Sequence, residues 1–475
     1  MADQKTIQNR LFILITVAFF LVSLLPALLK QGMFVDGVTY AAISRNLAIG
    51  EGSFWDLHYF TIPGHTFYGH PPLAFGLESL LFRLFGDHFL VERLYSFLTA
   101  LLSFFGIVLI WKELASKELR GTYWLPVMLW LTAQIVSWSY TNNMLENSLT
   151  VFTLFSSWSL LRYIKREKII WLIPAAFFLV ASLGVKGPTG LFPLGIPFFY
   201  WLSFRKGKFL KMAGDSLLLL FLTAAVIILI FILNKEALSF SEKYFNTQIL
   251  SSVRGEKELA PDRLYILRQL FMQLIPMLFL TLLGVIFNQR DERSTRPDKT
   301  TLFCLLIALS AALPLMISPK QRTFYLVPAM PWFALTLACY LCPLMNTYII
   351  KIREKTAKSL YLPVLLLIIA ITAFSVSQTG KIRRDKELIN DVYALTAVLP
   401  ENSDISVAGD LPEKWQLVAY LERFGRISLE KNKADQYLIR EKSDEKEFNY
   451  AGDTYLILSS PELNNYSLYQ KNNAL

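Results

Sequence analysis

Apolar stretches long enough to cross a lipid bilayer as helix recur from one end of this chain to the other, and they leave few architectures open. A hydrocarbon core of about 30 Å needs roughly 20 apolar residues of α-helix. Runs of that kind fill 11–29, 94–111, 122–139, 147–162, 169–185, 188–204, 214–233, 264–287, 301–317, 324–345 and 360–378, about eleven spans. Backbone that crosses lipid must satisfy its own N–H and C=O groups, so these runs predict a polytopic α-helical membrane protein. Composition agrees. Of the 475 residues 54% are hydrophobic and 18% charged, against about 45–50% and about 25% in soluble domains. The 36 Phe, 21 Tyr and 10 Trp exclude disorder. The cysteines, Cys304, Cys339 and Cys342, all sit in apolar runs and read as small buried hydrophobes rather than a disulfide framework.

The formal charge of +10 is a matter of topology. Lys5 and Arg10 precede the first apolar run, which is long and is followed by no small-residue cleavage site, so it reads as an uncleaved anchor with the amino terminus in the cytoplasm. On that topology the basic residues collect in the cytoplasmic connections: Lys112, Lys117 and Arg120; Arg162, Lys165, Arg166 and Lys168; Arg205, Lys206, Lys208 and Lys211; and further groups at 290–299 and 351–358. No basic patch remains on the outer face to bind nucleic acid, and no such partner is expected.

Two segments are too long and polar to be plain connections. The first, 30–93, follows the first span, and short interfacial helices are expected at about 40–49 and 73–84. The second is the tail 379–475, which an odd number of crossings places outside. There the periodicity predicts helices at 384–398 and 413–424 and strands at 405–408, 426–429, 436–440 and 455–459, a small extracytoplasmic α/β module. The domain division is therefore a membrane domain 1–378, including the loop 30–93, and a soluble domain 379–475. No internal repeat is present.

Polar chemistry gathers on the expected outer side. All four histidines, His58, His65, His70 and His88, lie in the first outer loop, with Asp36, Glu51, Asp56, Glu78, Asp87 and Pro63. Asp36 stands just past the first span. A carboxylate partly desolvated at the interface can accept a proton from a hydroxyl, although alone it is more simply a solvated helix cap. His70, before Pro71-Pro72, suits a phosphate or a metal, but four histidines without regular spacing are weak metal evidence, and interfacial packing explains any one of them. Lys186 interrupts two apolar runs in Lys186-Gly187-Pro188, and Lys320 and Arg322 sit in the short turn before Tyr325. Each can clamp an anionic head group or simply snorkel to the interface. Glu146 is the one acid in the turn between the third and fourth spans. Arg254, Lys257 and Arg263, with Tyr244 and Gln248 nearby, fit a solvated face as well as a site.

The order of these motifs resembles a known family. Asp36-Gly37-Val38-Thr39-Tyr40-Ala41, Phe67-Tyr68-Gly69-His70-Pro71-Pro72-Leu73, Met144-Leu145-Glu146-Asn147, Lys186-Gly187-Pro188 and Lys320-Gln321-Arg322-Thr323-Phe324-Tyr325-Leu326-Val327-Pro328 together look like the GT-C glycosyltransferases, nearest the protein-mannosyltransferase and aminoarabinose-transferase branch. The likeness runs over roughly 10–345. It implies an inner-membrane, multi-pass enzyme that moves a sugar, with inversion, from a polyprenyl-phosphate donor to a hydroxyl on the extracytoplasmic face. It implies Asp36 as the essential loop aspartate and sets Tyr40, Lys186, Arg322 and Tyr325 at family positions; with His70, Glu146 and Lys320, taken from the residues themselves, these are the expected donor-binding residues. No cofactor is required, though a divalent cation is compatible. The chain departs from the family pattern at Gly37, where an acid is common, at Gly69-His70, where Glu-Lys is common, and at Glu146, where aspartate is common. These departures bear on the donor head group and on metal dependence. The acceptor stays open among lipid A, another glycolipid, a polysaccharide and a protein.

A flippase or transporter for lipid-linked sugars is the main alternative. Such proteins commonly place ionisable groups at the bilayer midplane, whereas here the spans are nearly free of charge, Arg268 excepted. Polysaccharide ligases and polymerases carry their large outer loop late in the chain, and a purely structural scaffold leaves the shared histidine loop unexplained.

Overall fold

The computed structural model describes residues 2–60, 66–256, 260–287, 298–349, 352–408, 411, 414–431, 435–443, 445–458 and 462–472. Pro63, His65, Lys257, the basic residues at 290–296 and Lys351 lie outside them. The chain divides into two compact units, one of Met1–Leu28, Tyr68–Ala74 and Ser96–Ser377, the other of Leu29–Phe67, Phe75–Tyr95 and Gln378–Leu475. Most of the long first loop therefore folds with the carboxy-terminal segment, where the sequence division had kept it with the helices.

In chain order the helices are α1 (Ala2–Leu28), α2 (Val35–Ile49), α3 (Leu73–Phe85), α4 (Leu90–Leu114), α5 (Trp124–Thr132), α6 (Gln134–Tyr140), α7 (Leu145–Arg166), α8 (Leu172–Lys186), α9 (Ile196–Phe204) and α10 (Phe209–Leu233). They continue with α11 (Lys235–Tyr244), the single turn α12 (Ser251–Val253), α13 (Tyr265–Phe287), α14 (Lys299–Ala312), α15 (Met330–Ile349), α16 (Glu354–Ser359), α17 (Tyr361–Val376), α18 (Lys386–Thr396) and α19 (Trp415–Gly425).

The first unit is the helical bundle. Among the described residues eight helical stretches are long and apolar enough to cross a membrane: Lys5–Leu28, Leu90–Leu114, Ile169–Phe204, Phe209–Leu233, Tyr265–Ile286, Lys299–Met316, Thr323–Met345 and Glu354–Val376. The sequence reading counted about eleven, and the difference has local causes. The expected spans 169–185 and 188–204 count as one apolar stretch, Ile169–Phe204, because 3-10 turns over Gly187–Gly195 follow α8 without a loop, although the backbone breaks direction at Gly187. The span 122–139 is broken at Ala133, whose extended backbone (φ −70°, ψ 117°) separates α5 from α6. α7 is long enough, but it buries serines and threonines where a lipid-facing helix carries leucine. Those hydroxyls are satisfied locally: Thr150, Thr153, Ser157 and Ser159 each donate to the carbonyl one turn back, and Ser156 donates to Ala175 of α8.

The bundle packs around Trp111, Trp124, Trp130, Phe303 and Trp332. By contrast α10 and α17 leave most of their leucines, isoleucines and phenylalanines uncovered. In water that much apolar surface would drive association, and in lipid it is the stable face, so this is a multi-pass membrane protein.

The second unit holds α2, α3, α18, α19, a two-residue hairpin of β1 (Gly52–Ser53) and β2 (Asp56–Leu57), and one mixed sheet. The sheet contains β3 (Asp404–Val407), β4 (Ser428–Lys431), β5 (Tyr437–Glu441), β6 (Glu447–Tyr450), β7 (Asp453–Ile457) and β8 (Tyr466–Lys471) in the order β4-β3-β5-β8-β7-β6. β3 runs parallel to β4 and β5, and the remaining pairs are antiparallel. The expected interfacial helices are α2 and α3, and both expected tail helices and all four expected strands are present.

Candidate functional site

In the bundle, the site grows from the turn that ends α8. Lys186 is its last residue, and Gly187 follows at φ 64°, ψ −144°, a conformation open to glycine alone. A Cβ at Gly187 would lie 2.7 Å from the Tyr244 hydroxyl, and one at Gly190 would lie 2.5 Å from Ser182 Oγ, which donates to the Gly190 carbonyl. The two glycines let the chain turn tightly enough to hold the Lys186 side chain indoors.

That side chain is 11% exposed and forms an ion pair with Glu146, which is 1% exposed in the first turn of α7. The pair spans forty positions of sequence, and nothing local predicts it. The ammonium also lies 4.4 Å from the centre of the Tyr325 ring and 5.6 Å from that of Phe324. Aromatic faces carry partial negative charge, so two rings and a carboxylate hold one cation. Phe324 is stacked on Trp138 at 5.8 Å and 16°, which fixes its plane.

Phe324 and Tyr325 belong to the 3-10 segment Thr323–Ala329, and Arg322 caps its start. The turn before it is anchored from below. Gln321, 3% exposed, accepts from the Ile266 N–H at 2.9 Å and donates to the Ser318 carbonyl at 3.2 Å, while the Pro319 carbonyl accepts from Ala260 N–H at 2.9 Å. With Gln321 turned inward, Lys320 and Arg322 stay partly exposed on either side of it.

His70 reports on the same place. The surrounding protein desolvates its ring, and the positive charges of Lys186 and then Lys320 oppose protonation further, so its pKa falls well below 6.5. It is a neutral imidazole, able to donate or accept one hydrogen bond but bringing no charge of its own. The bundle thus gathers His70, Glu146, Lys186, Lys320 and Tyr325, with Arg322 in the same turn. Among the described residues no group of three or more His, Cys, Asp or Glu side chains is arranged to hold a metal ion.

The sequence reading gives Lys243 no role and Tyr68 only a place in the motif around His70. The Lys243 ammonium donates to the Tyr68 hydroxyl at 3.0 Å and lies 4.9 Å from that ring centre, two residues before His70. The neighbouring Tyr244, its phenol pushed up to about 12 by burial, presses on Gly187. The amphipathic run of α11, with Phe240 buried, was the available signal.

Asp36 and Tyr40 belong to the second unit. Asp36 is partly exposed in the first turn of α2, where the helix dipole favours its charge. Tyr40 is buried one turn on, its ring 5.7 Å from that of Phe75 at 71°. Ser44, the next position along that face, donates to Glu78 of α3 at 2.7 Å. His58 is 3.1 Å from Asp56 at the β1–β2 hairpin, and His88 accepts from the Leu90 N–H at 3.2 Å at the start of α4. These two histidines cap and brace local structure.

The family model described as dolichyl-phosphate-mannose-protein mannosyltransferase matches residues 69–237. That stretch includes His70, Glu146, Lys186 and α10. No curated protein sequence matches the chain. Among solved structures the chain is similar to ArnT from Cupriavidus metallidurans bound to undecaprenyl phosphate, at 13% identity, with 98% of each chain covered and a TM-score of 0.64. It is also similar to the apo state of the same protein, at 14% identity, with 89% of this chain and 84% of that one covered and a TM-score of 0.58. The apo oligosaccharyltransferase of Archaeoglobus fulgidus is similar at 12% identity and a TM-score of 0.51, covering 89% of this chain and 64% of that one. At these identities the likeness is one of fold.

Proposed function

We propose that this chain, whose fold is similar to that of ArnT and whose residues 69–237 match a mannosyltransferase family model, is a GT-C-type glycosyltransferase that moves a sugar from a polyprenyl-phosphate donor to a hydroxyl acceptor at the extracytoplasmic face of a bacterial inner membrane. The observation that carries the reading is the cationic cluster of the bundle: Lys186 held at 4.4 Å from Tyr325, the turn that bears Lys320 and Arg322, and a neutral His70 under the field of both lysines. ArnT, whose fold the chain shares, was solved with undecaprenyl phosphate.

A polyprenyl-phosphate sugar is a phosphodiester with one negative charge, and its departing lipid phosphate gains a second. Lys186 is balanced by Glu146, and Lys320 and Arg322 bring further positive charge to the turn beside Tyr325 for the leaving group. Lys186 adds directed N–H donors whose geometry Glu146 and two rings restrain. Fixed charges aimed where charge develops stabilise the transition state, the more so where water is scarce. His70 donates one neutral hydrogen bond, and Tyr40 and Tyr325 serve the donor as well. Asp36 takes the proton of the acceptor hydroxyl as oxygen attacks the anomeric carbon from the face opposite the phosphate, which inverts that centre. No cofactor is needed, and a divalent ion is accommodated only as an aid to the phosphate. The acceptor is a lipid, a polysaccharide or a protein hydroxyl.

Two variants test the division of labour. Asp36→Asn is expected to lose transfer at least a hundredfold while binding donor as the wild type does. Lys186→Ala is expected to weaken donor binding about tenfold or more. Transfer at the wild-type rate by Asp36→Asn removes the base, and unchanged donor affinity in Lys186→Ala removes the clamp.

A further inference from the structure

The chain segment that precedes Asp36 is held by residues nearly four hundred positions away. Gln31 pairs like a short parallel strand with Ile382: its N–H donates to the Lys381 carbonyl and its carbonyl accepts from Arg383 N–H, each at 3.0 Å. Gly32 follows at φ +85°, and a Cβ there would lie 2.7 Å from the Arg384 carbonyl, so this residue must be glycine. The Gly32 carbonyl accepts from Arg93 at 3.0 Å. Met33 then meets Tyr420 of α19. The tyrosine oxygen accepts the Met33 N–H at 3.1 Å, and its O–H points to the Met33 carbonyl at 3.1 Å and to Asp385 Oδ2 at 3.0 Å. Tyr420 is 1% exposed and stacks on Phe424 at 6.0 Å and 6°.

The far end of α2 is held by the same helix. Arg45, 1% exposed, donates to the Glu422 carbonyl at 2.6 Å and to the Arg423 carbonyl at 3.4 Å. Those carbonyls sit in the last turn of α19, where the Glu422 carbonyl has only the Arg426 N–H of the cap at 3.3 Å, and a guanidinium is a natural further partner at this negative end of the helix dipole. Arg45 also pairs with Asp87 at 3.2 Å, and Arg423 pairs with Asp87 and with Glu92, the latter at 2.9 Å. Both ends of the helix that carries Asp36 are therefore set by one helix of the carboxy-terminal segment. Asp36 is only three residues from the doubly bonded Met33.

We propose that Tyr420 is a positioning residue for Asp36, and that the carboxy-terminal segment serves the transfer reaction by fixing the backbone from which that carboxylate projects. The inference rests on Asp36 being the base. Position matters because a base must stand within hydrogen-bond reach of the proton it takes, and a displacement of about 1 Å in a reacting group can cost about a hundredfold in rate. Tyr420→Phe keeps the ring and its stacking but removes the oxygen, so the buried Met33 N–H loses its partner and the start of α2 loosens.

The test uses the full-length protein in detergent. In the wild type, hydrogen exchange at the Met33 amide is expected to be at least a thousandfold slower than in an open loop. Exchange at loop rates overturns the clamp without any variant. In Tyr420→Phe, kcat at saturating donor is expected to fall tenfold or more with donor KM changed less than twofold, and exchange over residues 33–37 to quicken about tenfold while α7 is unaltered. An unchanged kcat with a folded variant, or a loss that appears wholly in donor KM, overturns the proposal. Asp36→Asn run beside it separates the two ideas. If that variant is inactive and Tyr420→Phe is not, positioning fails while the base stands. If Asp36→Asn is active, the base itself fails.

Discussion

Removing one charge of the Glu146–Lys186 pair should reveal how strongly the bundle depends on it. Both groups are inside, Glu146 at 1% and Lys186 at 11% exposure. Deleting one partner of a buried pair costs about 3–5 kcal/mol, because the other charge stays in a poor solvent. Lys186 keeps two aromatic faces, at 4.4 and 5.6 Å, that return about 1–2 kcal/mol of the loss. Glu146→Gln should therefore destabilise by about 2–3 kcal/mol. Lys186→Met should cost about 3–5 kcal/mol, since the carboxylate is the more deeply buried member. The double variant, neutral on both sides, should recover much of that, for a coupling of about 2–3 kcal/mol. The assay is unfolding of the four proteins by titrated SDS in mixed micelles, followed by tryptophan fluorescence. Additive single effects, with coupling under about 0.5 kcal/mol, would show that the two side chains do not share one buried site and would refute the reasoning.

Gly187→Ala should lower stability by about 1–3 kcal/mol, because alanine must occupy a glycine-only conformation with its Cβ against Tyr244; a melting curve superimposable on the wild type contradicts this. Arg423→Met should loosen the second unit by about 3–5 kcal/mol, since Glu92, 2% exposed, keeps a charge and loses its guanidinium; limited proteolysis of 379–475 at the wild-type rate would count against it. Glu422 is pushed up to about 8 by burial. The folded chain thus keeps a proton that the unfolded chain releases near pH 4.3. Stability should fall as pH rises from about 4.5 to 8, by up to about 1.4 kcal/mol per unit, and level off above. Glu422→Gln should flatten that slope, and melting temperatures of both proteins across the range decide it.

What could be read from the sequence follows the range of the forces involved. Hydropathy is local, so helices such as α1, α10 and α17 are evident from their own residues, as are α18, α19 and the hydrophobic strands β3 and β5. Strand β6 escapes because it is a charged edge whose side chains alternate between exposed and half-covered, and β8 because Tyr466–Lys471 follows two asparagines that read as loop. Those asparagines are structured from a distance: Asp391, fully buried, accepts from the backbone and side-chain N–H groups of both Asn464 and Asn465. The break at Ala133 is nearly as hard to read, since only Thr132 and Gln134 interrupt the apolar runs on either side and packing tells α5 from α6.

The candidate site divides in the same way. Lys186, Lys320, Arg322 and Glu146 stand out because a charge beside an apolar run is rare, and their motif order matters because it matches a family. That Glu146 belongs to Lys186, that the Phe324 and Tyr325 rings face the ammonium, and that Tyr420 holds the approach to Asp36 are all products of tertiary contact between residues tens to hundreds of positions apart.

A single-compartment assay reaches the central claim most directly. Purified protein in detergent, given a polyprenyl-phosphate donor with a labelled sugar and an extract of envelope acceptors, should move label onto an acceptor hydroxyl and free the lipid phosphate, and Asp36→Asn should not. If the wild type leaves every acceptor unlabelled in detergent, yet carries the lipid-linked sugar across the bilayer when reconstituted in vesicles, the protein is a transporter and the account is wrong.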